Sequence, residues 1–416
     1  MNPPEKAIDT AVLVVGGGPA GLSAATHLAP VTNGEVIVVE RERQAGGIPR
    51  HSNHPGYGIR DLGRFMSGPA YARTLRERAI RAGVTILTDT MVTEWAGARE
   101  VMATSPTGRL RISARVIILA TGARERAQPA RLIPGDRSRG VFTTGRLQNT
   151  VYLQNGKVGR RAVIIGAELV SWSAALTLKH VGCETVLLST EYPRPDVYRI
   201  FSAVGKAYFR THVATRTRLA RIIGRPQVES VELENLDSGE RTTVPCDTVV
   251  LTGDWIPDNE LARTAGVRLD PASMAPVVDQ HLRTNLPGVF AIGNLLHPVD
   301  TADVAALDGV AVVDSVTAYL NGGVYAPEDY ELTVRKPLRW VAPGLVAGAG
   351  RPPRGRLLFW TDEYRAFPRI AVSQAGRVVG AKRLLWPAAP GRMFRVPSSI
   401  LHRVDPQAGT VQISLE

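Results

Sequence analysis

The stretch that decides the fold runs from Ala11 to Glu40: AVLVVGGGPAGLSAATHLAP (11–30), a short polar break, then EVIVVE (35–40). An apolar run ending at Val15 reads as a buried strand, and Gly16, Gly18 and Gly21 supply G-x-G-x-x-G ahead of an alanine-rich helix. A second apolar run closes on Glu40. Each part has a physical task. Gly16 makes the tight turn, Gly18 leaves room for a pyrophosphate, and Gly21 lets helix and strand pack closely. The helix N-terminus offers N–H groups and the positive end of its dipole to phosphates. Glu40 lies 19 residues after Gly21, where a carboxylate accepts ribose hydroxyls. The glycines alone are a weak signal; with strand, helix, second strand and acid in register they predict an adenine dinucleotide site.

Outward from this unit, β–α–β patterns give way to β-rich sequence. A helix is expected around Gly68–Gly83, followed by strands in TILTDT and MVTEWAG. RLRISARVIILATGARE runs into a buried strand, Val116–Leu119, and the turn Ala120-Thr121-Gly122. The Pro- and Gly-rich passage AQPARLIPGDRSRGVFTTG (127–145) reads as a linker. A second strand–turn–helix begins at Arg161 and ends in the strand ETVLLS, so Ala162–Ser189 approximately repeats Ala11–Glu40. Another buried strand is expected near Val249–Asp254, and a strand, turn and closing helix follow in 282–320. Beyond Leu332, short apolar runs alternate with Pro and Gly, the pattern of a small β domain. The expected fold is α/β: two Rossmann-like units with a small C-terminal β-rich domain. The first unit is expected in 8–150 and 271–325, the second in 151–270, and the basic β-rich domain in 331–416.

With 416 residues, the chain is long enough for two or three domains. No apolar run reaches the roughly 20 residues that span a membrane, and MNPPEKAIDT has no apolar leader core. The two cysteines, Cys183 and Cys246, have no metal or disulfide-framework spacing. A cytoplasmic protein is the expectation. The net charge of +12 is uneven: from Glu331 onward there are 14 Lys and Arg against 5 Asp and Glu. That basic tail, with Arg351, Arg354 and Arg356, is either a solvated surface or a dock for an acidic protein partner or sister subunit. Its Trp340, Trp360 and Trp386 admit single-stranded nucleic acid as a third reading, but no nucleic-acid signature accompanies them.

GGGPAG with Glu40, ILATGAR (118–124), TGDWIPDNELA (252–262) and TNLPGVFAIGN (284–294) occur together. With them the chain resembles flavoproteins that have two dinucleotide-binding domains, built like the pyridine nucleotide-disulfide oxidoreductases. Two passages, Gly46–Ala72 and GVFTTGRLQN (140–149), are most similar to the FAD subunits of opine oxidase, hydrogen cyanide synthase and related amino-acid dehydrogenase complexes. The resemblance implies non-covalent FAD, with its pyrophosphate at Gly16, Gly18, Pro19, Ala20 and Gly21 and its ribose on Glu40. Arg41, Gly47, Ile48 and Val92 join that set, and Ala120, Thr121 and Gly122 close over the cofactor. Gly293-Asn294 stands where the family has Gly-Asp; Asn keeps an acceptor oxygen for a ribityl hydroxyl. The helix starting near Thr301 and Ala302 would direct its N-terminus at the flavin pyrimidine edge and favour the anionic reduced form.

The second unit departs from an NAD(P) site. Gly166-Ala167-Glu168-Leu169-Val170-Ser171 puts Glu168 where the middle glycine admits a pyrophosphate, and Ser189 replaces the ribose-binding acid. NAD(P) is therefore not expected, and without C-x-x-C or C-x₄-C neither is disulfide chemistry. The resemblance then implies hydride transfer to flavin from the C–N bond of an amine, imino acid or amino acid, within a complex or alone. His51, His54 and His297 are the candidate bases, because their segments adjoin the flavin in this fold. Each could equally be a hydrogen-bond partner of FAD or backbone, and Tyr57 could orient a substrate. Two alternatives stay open: an NAD(P)H-dependent flavoprotein reductase, and an electron-relay or scaffold FAD subunit whose partner holds the substrate site. No metal motif is present.

Overall fold

A computed structural model describes residues 5–195, 208, 211–323, 330–348 and 350–416. Its central strand is Glu5–Val15, parallel to Val36–Val39 on one side and Gly108–Leu119 on the other. Val12, Leu13 and Val14 are fully buried, which is why the strand is apolar without alternation: helices or loops cover both faces of a parallel sheet. Thr85–Leu87 extends the sheet at one edge, and Met91–Gly97 and Glu100–Ser105 form an antiparallel meander with Gly108–Leu119 at the other. Val289–Ala291 returns to pair with Gly108–Leu119, so late sequence completes the first unit. Helix α1 (Pro19–Leu28) packs against α2 (Gly68–Arg81).

The second sheet is wholly parallel, in the order Val141–Thr143, Thr248–Leu251, Arg161–Ile165, Glu184–Ser189, His212–Ala214. Helices α3 (Thr144–Tyr152) and α4 (Leu169–His180) pack together over it. Here the structure corrects two expectations. The end of the 127–145 passage is not a linker: Val141–Thr143 is an edge strand and Thr143 caps α3, accepting the Arg146 N–H. A boundary after residue 150 therefore cuts through α3. The antiparallel pair Ala123–Glu125 and Trp255–Pro257 joins the two units.

Helices α5 (Ala302–Ala311) and α6 (Val313–Leu320) end the first unit. Two antiparallel-rich sheets follow, one of five strands and one of three. They enclose Leu357, Phe359, Ile370, Val372, Phe394 and Ile413. Trp340 and Trp360 stack on each other at 6.3 Å, and Trp340 is buried. Of the three tryptophans only Trp386 is exposed, so the tail presents no row of open aromatics for nucleic-acid stacking.

This domain is docked onto the first unit by polar contacts. Gln280 Nε2 donates to the Ala347 carbonyl (2.7 Å), while its Oε1 accepts the Ala347 N–H (2.9 Å). Arg395 pairs with buried Asp300, and Arg354 with fully buried Asp308. Arg354 is therefore committed within the chain, contrary to the expectation that it is free for a partner.

Candidate functional site

The three glycines of the first turn divide their labour as the spacing predicts. Gly16 has φ +110°, and a Cβ there would stand 2.4 Å from the Ala120 carbonyl oxygen. At Gly21 a Cβ would stand 2.0 Å from the Gly16 oxygen, so helix and turn are in backbone contact. Gly18 differs: nothing lies within 4 Å of a Cβ added there. It caps α1, Pro19 follows, and no acidic side chain occupies the first turn. A Cβ at Gly47 would stand 3.0 Å from the Gly18 Cα, and one at Gly293 would stand 2.6 Å from the Ala20 Cβ. An open glycine, an unblocked helix N-terminus and two glycines lining its rim make a cradle that fits a dinucleotide pyrophosphate. Ile48, exposed, extends from that rim.

Glu40 ends the second strand and is 7% exposed. Burial raises its carboxyl above the ordinary value, against the pull of the Gly17 and Glu42 N–H groups, each 2.9 Å from one oxygen. Each oxygen keeps a lone pair for a ribose hydroxyl. Arg41 pairs instead with Asp258 (3.1 Å). Asp258 in turn fixes the Ala120-Thr121-Gly122 turn: Thr121 Oγ1 donates to its carbonyl (2.7 Å) and its N–H donates to Gly122 O (2.9 Å). Val92 is buried in the meander. Asn294 is fixed by its own loop and keeps one N–H and one Oδ1 lone pair. Its Nδ2 donates to the Asp300 carbonyl and its Oδ1 accepts the Asp300 N–H, both at 3.0 Å.

Two of the three candidate histidines come together and the third does not. His54 Nδ1 must donate to the Pro55 carbonyl (2.9 Å), so its Nε2 is the acceptor for the Ser52 hydroxyl (2.9 Å). The Tyr57 ring lies 5.3 Å from that of His54. Gln148 Nε2 donates to Ser173 Oγ (2.7 Å) and to Ser52 Oγ (3.5 Å), and His51 Nδ1 is buried without a partner among the described residues. Nearby, Tyr71 donates to Asp61 (2.6 Å), and burial raises the Asp61 carboxyl. His297 is elsewhere. Its Nε2 donates to Asp308 Oδ2 (2.5 Å) in a small cavity lined also by Leu282, Pro343 and Leu358. It supports the docking of the C-terminal domain, and its Nδ1 is buried without a partner among the described residues, so Asp308 fixes the ring through Nε2 alone.

Sequence reasoning missed Ser52, Asp61, Tyr71, Gln148 and Asp303. Asp303 lies at the start of α5, where its carboxylate accepts the Thr301 hydroxyl (2.5 Å) and the Arg60 N–H (3.1 Å). Ala302 opens the helix. Only the fold brings residues 52, 148 and 173 together.

Desolvation pushes the His51 imidazole down to about 4 from 6.5, with Arg50 adding to the effect. The folded chain keeps His51 neutral to about pH 4, whereas the unfolded chain binds this proton below about pH 6.5. Between those values the unfolded state holds more protons, so stability falls as pH falls, by at most about 1.4 kcal/mol per pH unit. His51→Gln should flatten the slope in urea unfolding between pH 6.5 and 4.5. An unchanged slope would show that His51 titrates normally.

In the second unit the nucleotide turn is closed from within. Gly166 keeps its tight-turn role, with φ +134° and Thr252 directly behind it. The Glu168 carboxylate folds back to 2.7 Å from the position of a Gly166 Cβ and 2.8 Å from that of a Gly253 Cβ. Glu168 Oε1 is buried there without a hydrogen-bond partner among the described residues. Behind the turn, Arg131 donates Nη1 to Thr252 O (2.8 Å) and Nη2 to Gly253 O (2.7 Å). The Gly166 N–H bonds the Ser189 carbonyl as the Gly16 N–H bonds that of Val39, so Ser189 matches Val39 and buried Thr190, not Ser189, stands at the Glu40 position, where it offers a hydroxyl in place of a carboxylate. Ser189 Oγ donates to the Thr217 carbonyl (2.9 Å).

This architecture defines a flavin-dependent oxidoreductase on the two-dinucleotide-domain plan. The chain belongs to the pyridine nucleotide-disulphide oxidoreductase family, whose model matches residues 10–309; the family is FAD-binding. It is 27% identical to a thioredoxin reductase of Treponema pallidum over 330 residues, 75% of this chain and 98% of that protein. It is 28% identical to an opine oxidase subunit of Agrobacterium tumefaciens, over 68% of this chain and 60% of that one. The fold is that of the T. acidophilum thioredoxin reductase, with a TM-score of 0.63 at 21% identity over 74% of this chain and 98% of that one. No helix among the described residues is long and apolar enough to cross a membrane.

Proposed function

We propose that this chain oxidises the C–N bond of an amine, imino acid or amino acid as one subunit of a complex, and does not draw electrons from NAD(P)H. The observation that carries this is the Glu168 carboxylate folded into the second nucleotide turn. A pyrophosphate there would meet a like charge. The likeness to the opine oxidase subunit supports both the C–N chemistry and the complex. FAD, when bound, supplies the two-electron acceptor. An amine must reach it neutral. Burial lowers the His54 pKa, so the ring rests neutral and can take the ammonium proton through the Ser52 hydroxyl. Tyr57, only partly buried, would wall the substrate side, backed by the fully buried Tyr71 (ring centroids 5.9 Å apart).

The match to thioredoxin reductase along nearly its whole length favours a second reading, an NAD(P)H-dependent flavoprotein reductase. Against its disulfide form, Cys183 and Cys246 lie in separate apolar clusters. Burial pushes their thiols up to about 12 and about 11, the mark of inert structural cysteines.

The test is incubation of the FAD-loaded chain with amines and amino acids and a redox dye, with assay of ammonia or carbonyl product. One responsive substrate class supports the proposal. Dye reduction by NADPH with no amine response would replace it with the reductase reading. Silence with both donors would favour the electron-relay role.

A further inference from the structure

Two carboxylates sit at the N-terminus of α5, the helix that begins at Ala302 and packs on α1 beside the cradle. Asp303, in its first turn, is neutralised from within the first unit by Arg60 (3.2 Å). Asp300, immediately before the Thr301 cap, bonds the Thr301 N–H through Oδ1 (2.8 Å) and is 7% exposed. Its counter-charge comes from the C-terminal domain: Arg395 Nη2 donates to both of its oxygens, at 2.6 and 2.5 Å. A Cβ at Gly293, at the start of the same loop, would stand 2.6 Å from Ala20 of α1 and 3.6 Å from Ala305. The Asp300–Arg395 pair therefore stands at the N-terminal end of α5, beside the 16–21 cradle; the inference takes the flavin of a bound FAD to lie at that helix end.

We propose that Arg395 is a positioning residue through which the C-terminal domain sets the redox potential of the flavin. A helix N-terminus favours added negative charge, and a bare carboxylate beside it opposes that charge. Arg395 cancels Asp300 and so preserves the positive field when the cofactor is reduced. The inference rests on FAD binding at the 16–21 cradle and is independent of which donor reduces it.

The charge account and a purely structural one predict different signs. Arg395→Gln leaves Asp300 uncompensated and should lower the midpoint potential in a dye-coupled redox titration, with FAD affinity of the reduced protein falling about tenfold. Asp300→Asn keeps the shape of the loop, leaves Arg395 unpaired and should raise the potential. The Asp300→Asn, Arg395→Gln double variant should return close to the parent. If Arg395→Gln does not retain flavin, Asp300→Asn and the double variant carry the comparison. Shifts of the same sign in both single variants, a double variant displaced further than either, or no shift in any of them would overturn the proposal.

Discussion

A Gly18→Val chain is expected to fold and to purify without flavin. The position has φ −78°, open to any L residue, and no protein atom lies within 4 Å of an added Cβ. The apoprotein therefore accommodates the branched side chain, which then occupies the space above the α1 N-terminus. Overpacking of this kind costs about 1–3 kcal/mol, so FAD affinity should fall by about 5- to 150-fold. The flavin-to-protein ratio from absorbance, beside an unchanged circular dichroism spectrum, measures it. Gly21→Val is the contrast, since its Cβ would meet the Gly16 oxygen at 2.0 Å and the fold itself should fail. A folded Gly18→Val protein with full flavin content would remove the cradle from the account.

Reversal of Arg354 should destabilise the whole molecule. Arg354 Nη1 bonds Asp308 Oδ1, and the same carboxylate accepts from His297 (2.5 Å) and the Gly293 N–H (3.3 Å). Burial raises the Asp308 carboxyl, but His297 and Arg354 together hold it below its ordinary value. Removing one partner of a buried pair strands the other charge, at about 3–5 kcal/mol. Arg354→Glu should therefore lower the urea midpoint and expose the C-terminal domain to protease, with little relief from added salt because buried pairs are weakly screened. Stability within about 0.5 kcal/mol of the parent would return Arg354 to the solvated surface. Arg351, exposed, remains available to an acidic partner.

What is legible in the sequence is what is local in the chain. Gly16, Gly18 and Gly21 announce strand, turn and helix because each acts on its immediate neighbours, and the α/β class follows from them. The departure at Glu168 is equally visible, since it breaks a fixed spacing. Its setting is not: Arg131, which holds the Thr252 and Gly253 carbonyls behind the turn, sits 37 residues earlier in a passage whose Pro and Gly suggest a linker. Asn294 matches its motif by position, yet its bonds to Asp300, six residues on, are set by the loop. His297 illustrates the general limit. Its segment adjoins the flavin in the family, but its ring is claimed by Asp308, which an arginine from a separate domain also holds, and no periodicity encodes that meeting. The Ser52–His54 pair lies within one short stretch of chain; its support from Gln148 and Ser173 depends on the packing of α3 against α4.

The account turns on where the electrons enter. Anaerobic stopped-flow mixing of the FAD-loaded protein with NADH or NADPH, followed at the oxidised flavin band, addresses it directly. With the Glu168 carboxylate in the second turn, neither nucleotide should bleach the flavin on a catalytic timescale at sub-millimolar concentration, while an amine or amino acid that the protein oxidises should. Rapid, saturable bleaching by either nucleotide would contradict the account and make the chain an NAD(P)H-dependent reductase.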